Sequence, residues 1–145
     1  PGNVGTGTKY GFSGIEQGEI INAVNSLGGT AIAVPRISFA DPRPRHRGVS
    51  HHTLTILGEI ALAPALVVLP MIDELKLLII EEQIRRTAIT YKHKTRIFDG
   101  LPGIRECEER GIKLSTMGRG FNEDPEFFLA ASAAGAAAAD LLRGV

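Results

Sequence analysis

The feature that most limits how this chain can fold is an alternation: stretches with helical apolar spacing are followed repeatedly by apolar runs of strand length. Residues 15–27 (IEQGEIINAVNSL) carry Ile20, Ile21, Val24 and Leu27 on a helical stripe, and Gly28-Gly29 closes that helix. TAIAVP, from about Thr30, is a short strand-length run. Ser50 suits the N-cap of HHTLTILGEIAL, where Leu54, Leu57 and Ala61 share one stripe. ALVVL at 65–69, bounded by Pro64 and Pro70, reads as a buried strand.

The pattern continues. Asp73 is placed to cap ELKLLIIEEQIRR, with Leu77, Ile80 and Ile84 at helical spacing. Residues 89–98 alternate in a strand-like manner, with one mixed and one basic face, and the basic face is expected in solvent. DGLPG then turns into the helix IRECEER, and IKLST at 112–116 reads as a fourth strand. Asp124-Pro125, an N-cap followed by proline at the first helical position, opens a last helix to Leu142. Alternation of this kind predicts one α/β domain over 1–145. Its expected core is a parallel sheet of about four strands, doubly wound in three layers with helices on both faces. Strand-to-helix loops then share one edge, the edge where open α/β sheets bind ligands.

Composition narrows the partners. Sixteen basic and 16 acidic side chains cancel, which argues against nucleic acid and acidic membranes as partners. One cysteine forms no internal disulfide, in keeping with a cytoplasmic setting. The apolar run from Leu54 to Ile72 is interrupted by Glu59, Pro64 and Pro70, and the Ala-rich run Phe127–Ala139 is short for a bilayer, so no membrane span is expected. The chain begins at Pro1 and reads as a piece of a longer protein.

Three segments carry the candidate chemistry. GNVGTGTKYGFSG sets Gly5, Thr6, Gly7 and Thr8 just before a helix, where glycine lets backbone amides close around an anion. No GK[ST] follows, so it is not a Walker loop. Gly5, Gly7 and Gly11 have a dinucleotide-like spacing, but Pro35-Arg36 stands where an acidic ribose ligand belongs, so no dinucleotide cofactor is assigned. Residues 36–52 hold Arg36, Arg43, Arg45 and Arg47 against the single Asp41, and three of the four histidines fall at His46, His51 and His52. Arginine supplies forked donors to an anion and histidine a proton near neutral pH. In the third segment, STMGRGFNEDP, Gly118 and Gly120 let Arg119 project as a clamp, with Glu123 a candidate base and Asp124 the helix cap.

The leading expectation is therefore a composite site for a phosphorylated or carboxylate small molecule. Gly5, Thr6, Gly7, Thr8, Arg45, Arg47, His52 and Arg119 bind it, and His46 and His51 move protons if the protein is a transferase or hydrolase. No metal ligand is assigned, because guanidinium groups and a helix N-terminus oppose a cation beside His46, His51 and Asp41. Two alternatives stay open. One is a metal-dependent hydrolase using His46, His51 and His52. The other is a non-catalytic module that forms a homodimer through Ala131, Gly135 and Ala139, which recur every four residues.

GNVGTGTKYGFSG, DPRPRHRGVSHHT and STMGRGFNEDPEFFLAASAAG together resemble the C-terminal part of an uncharacterised bacterial family, domain of unknown function 3866. The resemblance implies a longer parent with an additional N-terminal region. It implies no activity, cofactor or catalytic residue.

Overall fold

ALVVL behaves as its composition demands. In the computed structural model, which describes residues 4–144, it forms β4 (Leu66–Pro70), and every residue of that strand is buried. β4 is the centre of a parallel three-stranded sheet, flanked by β1 (Ile32–Ala33) and β5 (Lys94–Phe98). Ile32 pairs with Leu66, and Leu66 to Pro70 run in register with Lys94 to Phe98. Alternation along β4 then defines two cores. Val67 and Leu69 pack with Ile21, Ile56, Leu57, Ile80, Ile84 and Ile89, while Leu66 and Val68 pack with Ala133, Ala134 and Ala137 of the last helix.

The helices are α1 (Glu16–Ser26), α2 (His51–Thr55), α3 (Glu74–Arg85), α4 (Ile89–Lys92), α5 (Leu101–Glu109) and α6 (Pro125–Arg143). Two expected caps are present. Ser50 Oγ accepts from the His52 amide at 3.4 Å, and Asp73 Oδ1 accepts from Leu75 and Lys76 at 3.1 and 3.2 Å. α2 runs directly into a π-helical turn, Ile56–Ile60, in which the Ala61 amide donates to the Ile56 carbonyl.

Four expectations need correction. Among the described residues the parallel sheet has three strands where about four were expected. Residues 112–116 make no strand: Ile112 is exposed, and Leu114 packs with Ile104, Phe128 and Leu129 away from the sheet. Residues 89–92 are helical: Ile89 is fully buried, and the strand starts only after His93, whose Nδ1 accepts from the Ala65 amide while Nε2 donates to the Leu57 carbonyl. Within the polar segment 36–52 lies a small antiparallel pair, β2 (Ile37–Ser38) with β3 (Gly48–Val49). Gln83 of α3 holds β3 from outside, accepting from the Val49 amide at 2.8 Å and donating to the Arg47 carbonyl at 2.9 Å.

Finally, α6 is longer than its Ala-rich run, and its 19 residues are long and apolar enough to cross a membrane. Here it packs on the sheet through Ala133, Ala134 and Ala137 as a core helix. Ala131, Gly135 and Ala139 lie on its exposed face.

Candidate functional site

The Gly-rich segment is a hairpin. Gly5 bridges Phe12, and the Thr6 amide donates to the Gly11 carbonyl at 2.7 Å. The absence of a side chain at Gly11 is required: a Cβ there would overlap the hydroxyls of Thr6 and Thr8, which lie 2.9 Å apart across it. The tip is tied to the π-helical turn, since Glu59 accepts from Tyr10 Oη at 2.6 Å and pairs with Lys9 Nζ at 2.8 Å. These contacts hold the Glu59 carboxyl below its usual range, the Lys9 hydrogen bond contributing most.

Below the hairpin lies the Arg/His segment, which leaves the C-terminal end of β1. A pocket of about 170 Å³ separates the two, lined by the Gly5–Phe12 hairpin together with Arg43, Arg45, His46, His51 and His52. The three histidine rings pack against one another at tilted and edge-on angles, and Phe12 stacks on His52. His51 and His52 centroids are 4.1 Å apart, those of His46 and His51 4.9 Å, and Phe12 lies nearly parallel to His52 at 4.2 Å. One imidazole nitrogen from each histidine lies within 4.8 Å of the others. His46 is buried, and its Nδ1 is 2.8 Å from Ser50 Oγ. His51 Nε2 is shut away from solvent with no hydrogen-bond partner.

Burial lowers the proton affinity of all three rings. His46 is pushed down to about 4, first by desolvation and then by the Arg43 and Arg36 charges. His51 is lowered by burial and then by Arg45, and His52 by burial and then by its neighbour His51. His46 is therefore neutral at pH 7, which removes it as a cationic proton donor and leaves it a lone-pair base or ligand.

Charge is distributed unevenly among the arginines. Asp41, almost fully buried, accepts from Arg43 Nε and Nη2 at 2.9 and 2.8 Å and from Arg36 Nη2 at 3.0 Å. The Arg43 hydrogen bond is the main cause that holds its carboxyl well below the usual range. Asp41 is thus spent on guanidiniums and is no metal ligand. Arg45 has no ion-pair or hydrogen-bond partner among the described residues.

A second pocket of about 350 Å³ adjoins the first, sharing Arg43, His46 and His52 and adding Arg36, Thr116, Met117 and Phe127. Arg36 Nη1 is buried without a partner. Thr116 and Arg119 close a two-residue turn with paired backbone bonds of 2.8 Å, and its central residues Met117 and Gly118 both have positive φ, 50° and 78°.

The structure thus brings together Gly5, Gly7, Thr8, Arg45, His46, His51 and His52. Three expected residues stand apart. Thr6 Oγ1 is turned into the hairpin, toward Thr8 and the Gly11 carbonyl. Arg47 lies outside the pocket lining, and its carbonyl serves Gln83. Arg119 is no clamp: its Nε and Nη2 each lie 3.1 Å from Asp124 Oδ2, because a guanidinium this buried needs a counter-charge. Asp124, expected as the cap of α6, makes no cap bond and instead takes Arg119 and Ser38 Oγ, the latter at 2.8 Å. Glu123, the candidate base, folds back onto the Gly120 amide at 2.7 Å. Sequence reasoning passed over Gly11, Phe12 and Arg43 as lining residues. The spacing of Gly11 after Gly7 was visible, whereas the stacking of Phe12 on His52 depends on a long-range contact.

Fold and site together define a mixed α/β protein with a parallel three-stranded sheet, whose Gly-rich hairpin closes over a histidine cluster rimmed by arginine. The family model described as "Protein of unknown function (DUF3866)" matches residues 1–135, and the chain belongs to that family. No curated protein and no solved structure matches it.

Proposed function

We propose that the pocket between the hairpin and the Arg/His segment binds a small molecule through its phosphoryl or carboxylate group. The observation that carries this reading is Arg45, a guanidinium on the pocket wall without a counter-charge among the described residues. Four arginines against one aspartate give residues 36–52 a formal charge of 4 − 1 = +3 in a chain whose net charge is zero, so the positive field is local. In the adjoining pocket, the unpartnered Nη1 of Arg36 is a further donor toward the bound molecule.

Size restricts the ligand. About 170 Å³ is less than the roughly 300–1,000 Å³ typical of pockets for drug-sized ligands. It suits a single anionic group, and the adjoining pocket beside Met117 and Phe127 suits a compact, partly apolar body.

Thermal unfolding with inorganic phosphate, small phosphorylated compounds and small carboxylates, each against chloride at equal ionic strength, tests the reading. A ligand at 100 times its Kd adds about 2.7 kcal/mol to folding stability. The expected result is stabilisation by at least one class, lost in Arg45→Ala. No stabilisation by any of them, or equal stabilisation of Arg45→Ala, overturns it.

A further inference from the structure

We propose that His46, His51 and His52 bind one divalent transition-metal ion of the zinc class, with a remaining coordination position open to the pocket beside Arg45. The inference rests on the anion-site reading, because it gives that site a coordinating ion to which the anion can bind as an additional ligand.

Three observations carry it. First, one nitrogen from each of three imidazoles lies within 4.8 Å of the other two. Tetrahedral zinc with nitrogen bonds of about 2.0–2.1 Å needs those nitrogens roughly 3.3 Å apart, a closure that side-chain rotations of the half-buried His51 and His52 can supply. Second, His51 Nε2 is buried and unpartnered. Ring packing alone accounts for the proximity of the rings but not for an orphaned nitrogen on His51, since buried polar atoms are normally satisfied. Third, Ser50 Oγ sits 2.8 Å from His46 Nδ1. With Nδ1 donating to Ser50, Nε2 of His46 keeps its lone pair, the arrangement in which an outer hydrogen bond orients a metal-bound histidine.

The donor set selects the ion. Three neutral nitrogens favour zinc, cobalt, nickel or copper over magnesium or calcium, which prefer oxygen. Asp41, shared by Arg36 and Arg43, cancels one of their two charges, and the remaining positive charge is what an anion bound with the ion would offset. Arg45 remains to balance an anion on the metal. His93, the fourth histidine, has both nitrogens engaged by backbone and takes no part.

The test uses the 145-residue chain made without a polyhistidine tag and stripped with EDTA. Zn²⁺ is titrated by calorimetry and Co²⁺ by visible absorption, and the imidazole nitrogens of unsubstituted protein are followed by NMR. The expected result is one ion per chain, a tetrahedral Co²⁺ spectrum, and shifts at His46, His51 and His52 but not at His93. His51→Ala and His52→Gln should each weaken Zn²⁺ binding by more than the roughly 10–100-fold that loss of an outer-shell partner costs. Absence of uptake, or uptake that leaves these three rings unmoved, overturns the proposal whether or not the variants fold. Inorganic phosphate is titrated in parallel into stripped and zinc-loaded protein and into Arg45→Ala. Phosphate binding lost in Arg45→Ala, without any zinc uptake, defeats the metal site and spares the anion site. Zinc uptake with no phosphate binding in either form does the reverse.

Discussion

Met117 occupies a conformation that suits few side chains. It is the first central residue of the turn Thr116–Arg119, with φ 50°, followed by Gly118 at 78°. Positive φ at both positions is the pattern of a type I′ turn, where Asn-Gly is favoured and an unbranched apolar residue is strained. Met117→Asn should therefore raise stability by about 0.5–1 kcal/mol, or roughly 2–4 °C in Tm, by thermal unfolding. The strain sits on the wall of the second pocket, so a cost in ligand affinity would show what the methionine is retained for. Asp41 carries a different prediction. Its carboxyl titrates lower in the folded chain than the unfolded value of about 3.9, chiefly because Arg43 hydrogen-bonds it. That pairing contributes in full above about pH 4 and is lost as pH falls from there toward the folded value. Asp41→Asn should cost about 1.5–3 kcal/mol at pH 7 by urea unfolding, and its deficit against the unsubstituted protein should shrink below pH 4. A deficit independent of pH would mean that the Asp41 charge contributes nothing.

At the scale of elements, the hairpin over the histidines is anchored at its base by the buried Phe12 and tied at its exposed tip. Lys9 and Tyr10 reach Glu59, which the π-helical turn presents. Exposed pairs of this kind are worth under about 1 kcal/mol, so Glu59→Ala should leave Tm nearly unchanged. The same change should weaken phosphate binding about twofold to fivefold, because the hairpin then spends less time closed over the pocket. Calorimetry on the two proteins checks this, and equal affinities would show that the hairpin needs no latch. Elements built from neighbours in sequence were legible: the caps at Ser50 and Asp73 and the buried β4 depend on spacing within a few residues. Those needing distant partners were not. β2 and β3 are two residues each, and the side chain of Gln83, 34 residues on, completes β3 where a further strand would stand. Residues 89–92 alternate like a strand but are helical, because tertiary burial of Ile89 outweighs local pattern. Arg119 read as a free clamp because Asp124 was reserved for the helix start, and burial of the guanidinium reassigned that carboxylate.

The whole molecule has no net charge, yet residues 36–52 carry an excess of three positive charges. Screening should therefore act on the pocket and on the fold in different ways. The helix pairs Arg110 with Glu106 and Arg86 with Glu82 are exposed i,i+4 contacts and contribute little at any salt concentration. With opposite charges in balance, the fold also gains nothing from screening a global repulsion. The Debye length shrinks from about 10 Å at 0.1 M salt to about 3 Å at 1 M, a range over which the half-exposed guanidiniums of the pocket lose much of their reach. Raising NaCl across that interval should leave the Tm of the ligand-free protein nearly constant while phosphate affinity falls at least several-fold. The two measurements separate a local electrostatic site from a protein that salt merely destabilises. If affinity and Tm decline together, salt acts on the fold; if neither moves, the field around Arg45 is too weak to select an anion, and the arginines of this segment serve the structure alone.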